Sequence, residues 1–302
     1  MTKVVVLGAS GYIGQAIARA CEQAGFQVTG IIRNTVRPGL PPGIDWRIGD
    51  ASDIATVVDL ATDADAVIDA AKLPFDSINH YAILMAALRG TDTAYLFTSG
   101  TGVLSSPTPD GESHDRVVSD LETVDGSTAP ASLRPRVEVE QIIRGAADQV
   151  RALVVRPPMV WGRGGSNQIP ALFESVRRNG SACYVGSGLN SYSHVHVDDL
   201  ADVYVRAVTR GRAGATYHAV AGEENWLTIA GAVATTAGGS ARSITMHEAT
   251  DLWGPQRAEL YFGVSSRSSC PRTLADLRWR PRHTDILLDI THGSYRNQSH
   301  LA

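Results

Sequence analysis

The sequence predicts an α/β fold in which a doubly wound parallel sheet is covered by helices and a smaller lobe follows it. The first observation is the unbroken apolar run Val4–Leu7, which is typical of a strand buried on both faces. A glycine-rich turn and a stretch of helix-forming residues follow that run. The second observation is the alternation of strand-like and helix-like segments up to Arg156. The third is the weaker patterning of the C-terminal third, which predicts the smaller lobe.

Each element is predicted from its apolar pattern and from the turn residues that bound it. In chain order the predicted strands are Val4–Leu7, Phe26–Ile32, Asp45–Ile48, Ala66–Ala70, Thr93–Phe97 and Arg151–Val155. The predicted helices are one ending near Gly25, then Ile54–Leu60, Ile78–Leu88, Arg136–Ala147, Ile169–Arg178 and one capped by Asp198 and Asp199 that ends near Thr209. We expect a long loop over 98–130, where Gly, Ser, Pro and Asp are frequent. The expected units are a dinucleotide-binding domain over 1–166, to which 194–219 returns, and a substrate lobe over 167–193 and 220–302.

Composition excludes several classes of function. The chain has 302 residues and a formal net charge of -4, without a Lys/Arg run, which argues against nucleic-acid binding. No apolar stretch approaches the length of a membrane span. Cys21, Cys183 and Cys270 are odd in number and have no paired spacing, so they favour free thiols in a reducing cytoplasm over disulfides or a metal site. We expect a cytoplasmic protein without a membrane partner, and the sequence leaves a homodimer open.

The turn Gly8-Ala-Ser-Gly11-Tyr-Ile-Gly14 lies between the first strand and the first helix. Gly8 allows a sharp backbone turn, Gly11 allows a pyrophosphate to approach the main chain, and Gly14 allows the helix to pack closely on the strand. The N-terminus of that helix offers unpaired N–H groups and the positive end of its dipole to phosphates. The motif in this context predicts a bound dinucleotide, against the alternative of a purely structural turn.

The end of the second strand favours NADP(H) over NAD(H). An acidic residue there binds the ribose 2′-hydroxyl of NAD, whereas arginine accommodates a 2′-phosphate. Here Arg33 ends the strand, Arg37 follows, and no carboxylate lies between Glu22 and Asp45. The alternative interpretation makes Arg33 a solvated surface residue. Asp50 is predicted either to meet the adenine amino group or to serve a turn.

Binding sites in such sheets lie at the carboxyl ends of the strands, so the segments after Leu7, Ala70, Phe97 and Val155 are expected to line one cleft. The predicted cofactor contacts are Gly8, Ser10, Gly11, Tyr12, Ile13, Gly14, Arg33, Asp50, Ala51, Ala70, Ala71, Pro157, Met159 and Val160.

Most of the chain resembles the extended branch of the short-chain dehydrogenase/reductase superfamily. The motifs that carry the resemblance are the glycine turn, Gly49-Asp50, Phe97-Thr-Ser-Gly-Thr101, Arg156-Pro-Pro-Met-Val-Trp-Gly162 and His196-Val-Asp-Asp199. The resemblance implies a Rossmann domain with a C-terminal substrate lobe. It also implies a Tyr-x-x-x-Lys pair on the helix before the sixth strand. Glu140 resembles the glutamate that usually lies four residues after that lysine. Counting back from Glu140, the lysine position holds Arg136 and the tyrosine position holds Ser132, so this chain resembles an atypical member.

Five residues are therefore candidates for the chemistry. Ser99 and Thr101 follow the fifth strand and are expected to orient a substrate carbonyl or support an oxyanion. Lys72 follows the fourth strand and is either a cation or proton donor near the ribose, or a surface lysine. Tyr192 and His194 are candidate substrate-lobe contacts or acids. His196, beside them, is expected to make structural hydrogen bonds near Asp198 or Asp199.

These features predict an NADPH-dependent reductase of a ketone or related carbonyl on a small organic substrate, for example an aromatic or polyketide-like one. One alternative is a sugar-nucleotide epimerase or dehydratase, which also requires proton transfer. A second alternative, from another class, is a non-catalytic regulator that senses NADP(H).

Overall fold

The computed structural model describes residues 1–33, 40–72, 78–124 and 126–296, so Arg37 lies outside the described residues. The strands are β1 (Lys3–Leu7), β2 (Gln27–Ile32), β3 (Asp45–Ile48), β4 (Ala66–Asp69), β5 (Ala94–Thr98), β6 (Ser106–Pro107), β7 (Val117–Ser119), β8 (Ala152–Arg156), β9 (Met159–Trp161), β10 (Ser181–Val185), β11 (Ser191–His196), β12 (Thr216–His218), β13 (Gly222–Asn225), β14 (Ser240–Ile244), β15 (Val264–Ser265) and β16 (Arg267–Ser269). The α-helices are α1 (Tyr12–Gln23), α2 (Ile54–Thr62), α3 (Ile78–Ala87), α4 (Arg134–Gly145), α5 (Ile169–Asn179), α6 (Val197–Arg210), α7 (Trp226–Ala237), α8 (Met246–Trp253), α9 (Pro255–Arg257), α10 (Pro271–Asp276) and α11 (Ile286–His292).

A seven-stranded sheet in the order β12-β8-β5-β4-β1-β2-β3 forms the centre of the molecule. All its strand pairs are parallel. The chain runs from β1 outward to β3 and then returns to β4 on the other side of β1. The predicted doubly wound α/β fold is therefore confirmed, and the point where the strand order reverses lies between β1 and β4. Ligands of such sheets bind at the carboxyl edge beside this point.

The apolar run of β1 explains why both faces of the sheet are covered. Successive side chains of a strand point to opposite faces. Val4 and Val6 accordingly pack in one core with Ile17 of α1 and Leu200 of α6. Val5 and Leu7 pack in a second core with residues of α3 and α4. A strand that is apolar at every position is stable only between two such layers.

The N-terminus of α6 differs from the prediction. His196, rather than Asp198 or Asp199, is the N-cap residue, with extended backbone angles and a ring Nδ1 that accepts the Asp198 N–H at 3.2 Å. Asp198 and Asp199 lie in the first helical turn, where negative charge interacts favourably with the helix dipole. The capping prediction was wrong because an imidazole nitrogen can fill the acceptor role of a carboxylate.

The expectation of a long loop over 98–130 is corrected by short ordered elements. The segment contains a 3₁₀ turn at Thr101–Leu104, and strands β6 and β7. Strand β6 pairs antiparallel with β15, and β7 pairs parallel with β16. Partners more than 140 residues away hold these strands, so no local pattern could indicate them. The pairs join this segment to the C-terminal part of the chain.

The C-terminal part has an apolar core of its own. It is built on α5, α7 and α8 and contains Phe173, Trp226, Ile229 and Phe262. Strand β12, by contrast, pairs with β8 in the central sheet. We retain as a proposal the division into a domain over 1–166 with 194–219 and a lobe over 167–193 and 220–302.

Candidate functional site

The carboxyl ends of four neighbouring strands bring the predicted cleft segments together. The Ala70 N–H, after β4, donates to the Leu7 carbonyl at 3.1 Å. The Ser99 N–H, after β5, donates to the Val155 carbonyl at 2.8 Å, and the Thr101 N–H donates to the Pro157 carbonyl at 2.9 Å. Because β1, β4, β5 and β8 are adjacent and parallel, their C-terminal turns form one continuous edge.

The glycine turn is closely packed at this edge. Gly8 has a φ of 71°, and a Cβ there would lie 2.8 Å from the Ala70 carbonyl oxygen. A Cβ on Gly14 would lie 2.2 Å from the Gly8 carbonyl oxygen, so the first turn of α1 lies directly on the turn before it. Any side chain at either position would force the backbone apart.

The N-terminus of α1 is open to an anion. Its N-cap residue, Gly11, provides no side-chain hydrogen bond, and the first turn carries no acidic residue. Ser10 and Gly11 are exposed, whereas Ile13 is half-buried. The Tyr12 side chain points elsewhere, because its hydroxyl donates to the Gly162 carbonyl at 2.8 Å. Backbone N–H groups of an uncapped helix end fit a pyrophosphate, so these residues fit a dinucleotide.

The ends of β2 and β3 carry one charge of each sign. Arg33 is exposed directly after β2, and the Gly49 N–H donates to the Ile32 carbonyl at 3.0 Å. The Asp50 carboxylate accepts the Ser52 N–H at 2.9 Å. Hydrogen bonds from Ser52, with a further contribution from the Arg33 charge, lower the pKa of Asp50. Ala51 is buried beneath this turn. Asp50 therefore serves a turn, with its carboxylate still exposed.

Ser99 and Arg136 form the most distinctive part of the edge. Ser99 is only 9% exposed. Its Oγ has no hydrogen-bond partner among the residues that the structure describes. On the adjacent residue, the Thr98 carbonyl accepts a hydrogen bond from Arg136 Nη1 at 3.2 Å. Burial lowers the pKa of Arg136, although a guanidinium keeps its charge at neutral pH. A buried hydroxyl and a cation thus lie beside each other at the end of β5.

A buried carboxylate that the sequence did not single out lies at the end of β4. Asp69 accepts hydrogen bonds from Tyr95 at 2.7 Å and Tyr81 at 3.2 Å through their hydroxyls, and from the Ala71 N–H at 3.0 Å. Burial raises the pKa of Asp69, and the carboxyl interacts electrostatically with Arg136. The available signal was an acid within the otherwise apolar run Ala66–Ala70.

Thr101 and Tyr192 both lie near Ser266, which no sequence motif marks. Thr101 is fully buried, with its Oγ1 3.3 Å from the Oγ of Ser266. Tyr192 is buried near Ser266, and burial raises its pKa to about 12. A Cβ on Gly102 would lie 3.8 Å from the Tyr192 hydroxyl. The two predicted side chains are brought together, but below the surface of the cleft.

His194 lies in the core. Its Nδ1 accepts a hydrogen bond from Trp161 Nε1 at 3.1 Å, and only 2% of the residue is exposed. Burial lowers the pKa of His194 to about 4, so the ring is neutral at pH 7. Met159 and Val160 are likewise buried in β9, where they pair with β11. Lys72 is exposed directly after β4.

The fold and the edge together define a Rossmann-type protein with a candidate dinucleotide site. The model of the NAD dependent epimerase/dehydratase family matches residues 4–221, and the chain belongs to that family. No helix in the described ranges combines the length and apolar character needed to cross a membrane.

Two relatives differ in how much of the chain they cover. Protein C2A9.02 of Schizosaccharomyces pombe is 30% identical over 97% of this chain and 99% of its own length. A 2-alkyl-3-oxoalkanoate reductase of Stenotrophomonas maltophilia is 24% identical over 66% of this chain and 63% of its length.

Solved structures share the fold. A dTDP-glucose 4,6-dehydratase of Bacillus anthracis, in complex with NAD, has a TM-score of 0.76 at 13% identity and covers 99% of this chain and 97% of its own. A human epimerase family protein with NADPH has a TM-score of 0.72 at 18% identity and covers 97% and 99%. At these identities the similarity shows the fold alone.

Proposed function

We propose that the protein is an NADPH-dependent reductase of a ketone or related carbonyl on a small organic substrate, including aromatic or polyketide-like ketones. The observation that carries this proposal is the buried Ser99 hydroxyl without a described partner, next to the Arg136 guanidinium. A buried hydroxyl normally finds a hydrogen-bond partner, and a substrate oxygen would supply one here. The similarity to a 2-alkyl-3-oxoalkanoate reductase supports the reaction class.

The residues of this chain have separable tasks in the proposed reaction. Reduced nicotinamide, when bound, would supply a hydride. The glycine turn and the N-terminus of α1 would hold the pyrophosphate. The Ser99 hydroxyl would donate a hydrogen bond to the substrate oxygen, and the charge of Arg136 would favour the negative charge that develops there. Such fixed donors and charges stabilise an oxyanion most strongly where water is excluded.

The choice of NADP(H) rests on Arg33 at the end of β2. We expect Arg33→Ala to weaken binding of NADPH far more than binding of NADH, because only NADPH carries the 2′-phosphate. Arg47→Ala is the matched control, since Arg47 is an exposed arginine on the neighbouring strand that pairs with Asp45. Fluorescence titrations of both cofactors would measure the effect. Equal losses for NADPH and NADH would remove Arg33 from the specificity assignment.

The second candidate is a sugar-nucleotide epimerase or dehydratase, which the family membership favours. These reactions require proton transfer in addition to hydride transfer. The position that resembles the family tyrosine holds Ser132, which is exposed in a 3₁₀ turn before α4. A serine hydroxyl is a poor acid, but ketone reduction also consumes a proton, so this position does not separate the two candidates. We place the reductase first because of the similarity to a 2-alkyl-3-oxoalkanoate reductase.

A turnover panel separates the candidates. NADPH oxidation would be followed with acetophenone, ethyl acetoacetate and menadione, and UDP-glucose and dTDP-glucose would be tested for conversion. Oxidation by a ketone supports the reductase, whereas conversion of a sugar nucleotide supports the second candidate. Tight NADPH binding without turnover of any compound would contradict both and favour the NADP(H)-sensing regulator.

A further inference from the structure

The proposed reduction needs a proton donor, and the tyrosines can be sorted by exposure. All nine lie within the described ranges. Six of them are buried, namely Tyr81, Tyr95, Tyr192, Tyr204, Tyr217 and Tyr295. The half-buried ones are Tyr12, Tyr184 and Tyr261. A phenol that meets both substrate and solvent should belong to this second group.

Two of the three half-buried tyrosines, Tyr12 and Tyr184, make their contacts elsewhere in the molecule. The Tyr12 hydroxyl donates to the Gly162 carbonyl. Tyr184 lies on β10 and packs against the core of the C-terminal part. Tyr261 also borders that core, but its ring additionally packs against the cluster that contains Val103, Leu133 and Val137. This cluster joins the 3₁₀ turn after Ser99 to the beginning of α4.

The position of Tyr261 is fixed by the backbone around it. It lies in a π-helical turn, Ala258–Phe262, directly before Gly263. The Gly263 carbonyl accepts the Thr108 N–H at 2.8 Å, and β15 then pairs with β6. These bonds hold the turn against the segment that follows β5.

The ring of Tyr261 packs between the turn after Ser99 and the beginning of α4. Its phenol also lies within electrostatic range of the Arg136 guanidinium and of the Tyr192 phenol. Arg136 donates to the Thr98 carbonyl, next to Ser99. Among the described residues, the Tyr261 hydroxyl has no hydrogen-bond partner. Tyr261 therefore lies beside the segments that carry Ser99 and Arg136, on the side of the C-terminal part.

We propose that Tyr261 is the catalytic proton donor, supplied by the C-terminal part to a substrate held at the Ser99–Arg136 edge. This inference rests on the proposed reductase function. In the step, the C=O π bond breaks as the carbonyl carbon accepts a hydride from the reduced nicotinamide dinucleotide. The Tyr261 O–H bond breaks, its proton forms the new O–H bond of the alcohol, and the phenolate is reprotonated from water.

The test compares Tyr261→Phe with Tyr184→Phe, a matched loss of a half-buried phenol elsewhere. For whichever of acetophenone or ethyl acetoacetate the wild type reduces, we expect kcat of Tyr261→Phe to fall by roughly 10²–10⁴, as for loss of a general acid. KM and the Kd for NADPH should stay within about threefold, since the ring is retained and lies away from the glycine turn. Tyr184→Phe should match the wild type in all three quantities.

The outcomes separate the two proposals. If the wild type reduces a ketone and Tyr261→Phe keeps its kcat within about threefold, Tyr261 is not the donor while the reductase function stands. If the wild type reduces neither ketone, the reductase function fails, and a near-ultraviolet difference spectrum decides the placement of Tyr261. Addition of acetophenone to the NADP⁺ complex should perturb tyrosine absorbance in the wild type and Tyr184→Phe but not in Tyr261→Phe. The same spectrum in all three proteins would overturn the inference.

Discussion

The ion pair between Glu140 and Arg156 offers the sharpest test of the energetics. The side chains of Glu140 and Arg156 are 0% and 2% exposed. Arg156 Nε donates to both carboxylate oxygens, at 3.0 and 3.1 Å, and Nη2 donates to Oε2. The pair joins α4, which carries Arg136, to β8 of the central sheet. We predict that Glu140→Gln strongly destabilises the fold.

The size of the expected loss in unfolding free energy follows from the Arg156 guanidinium, which stays buried and charged after its carboxylate partner is removed. Among the described residues, the other side chain within hydrogen-bond distance of the Arg156 guanidinium is His218, whose Nε2 lies 3.4 Å from Nη1. His218 Nδ1 must donate to the Ser269 carbonyl, 3.1 Å away, so Nε2 is left as a neutral acceptor. Burial and the charge of Arg156 lower the pKa of His218 to about 3, so the ring is neutral at pH 7 and offers Arg156 no negative charge. Removing one partner of a buried pair costs about 3–5 kcal/mol of unfolding free energy.

Urea unfolding at pH 7 measures this loss. Glu174→Gln is the matched control, because Glu174 also pairs with arginines from a helix but the pairs are partly exposed. We expect the control to change the unfolding free energy by no more than about 1 kcal/mol. The double variant Glu140→Leu/Arg156→Met removes both charges and should be more stable than Glu140→Gln. A Glu140→Gln protein as stable as the control would refute the argument.

Three further predictions concern the glycine turn, the buried histidine and the edge. Gly14→Ala should abolish NADPH binding and lower the unfolding free energy by about 1–3 kcal/mol, because its Cβ would lie 2.2 Å from a carbonyl oxygen. Gly231→Ala, in open space on α7, should instead stabilise the protein by up to about 1 kcal/mol. His194 has its pKa lowered from 6.5 to about 4, so only the unfolded chain binds this proton as the pH falls between those values. The unfolding free energy should therefore decrease less between pH 7 and pH 5 for His194→Gln than for the wild type. Identical decreases in the two proteins would contradict this. Ser99→Ala should lower kcat by roughly 10²-fold. The variant should be as stable as the wild type or more stable, because the substitution removes a buried hydroxyl that has no described hydrogen-bond partner. Unchanged turnover would contradict the proposed role of Ser99.

The fold was predictable because its signals are local. Apolar runs such as Val4–Leu7 can be buried only between two helical layers, and the glycine turn has a specific spacing. The parallel pairing of the strands follows from their alternation with helices. The ends of helices were less certain, as the His196 cap illustrates, because several side chains can accept the same N–H.

The site was only partly predictable because its remaining parts depend on distant contacts. Tyr192 and His194 form a conspicuous polar pattern with His196, yet β11 is the central strand of a three-stranded sheet and is covered on both faces. Side chains that alternate along such a strand are buried whichever way they point. Ser266 meets Thr101 across 165 positions of sequence, and no local pattern marks that pairing.

The same dependence on distant contacts governs the proposed chemistry. In the family that the chain resembles, one helix supplies both the tyrosine and the cation, so their spacing is set by a single helical turn. Here α4 supplies Arg136, whereas Tyr261 comes from a turn held by the β6–β15 pair. The separation of donor and cation is therefore set by how the C-terminal part docks on the segment after β5. Substitutions that loosen this docking should lower kcat without weakening the glycine turn, because cofactor binding and proton donation are carried by separate parts of the fold.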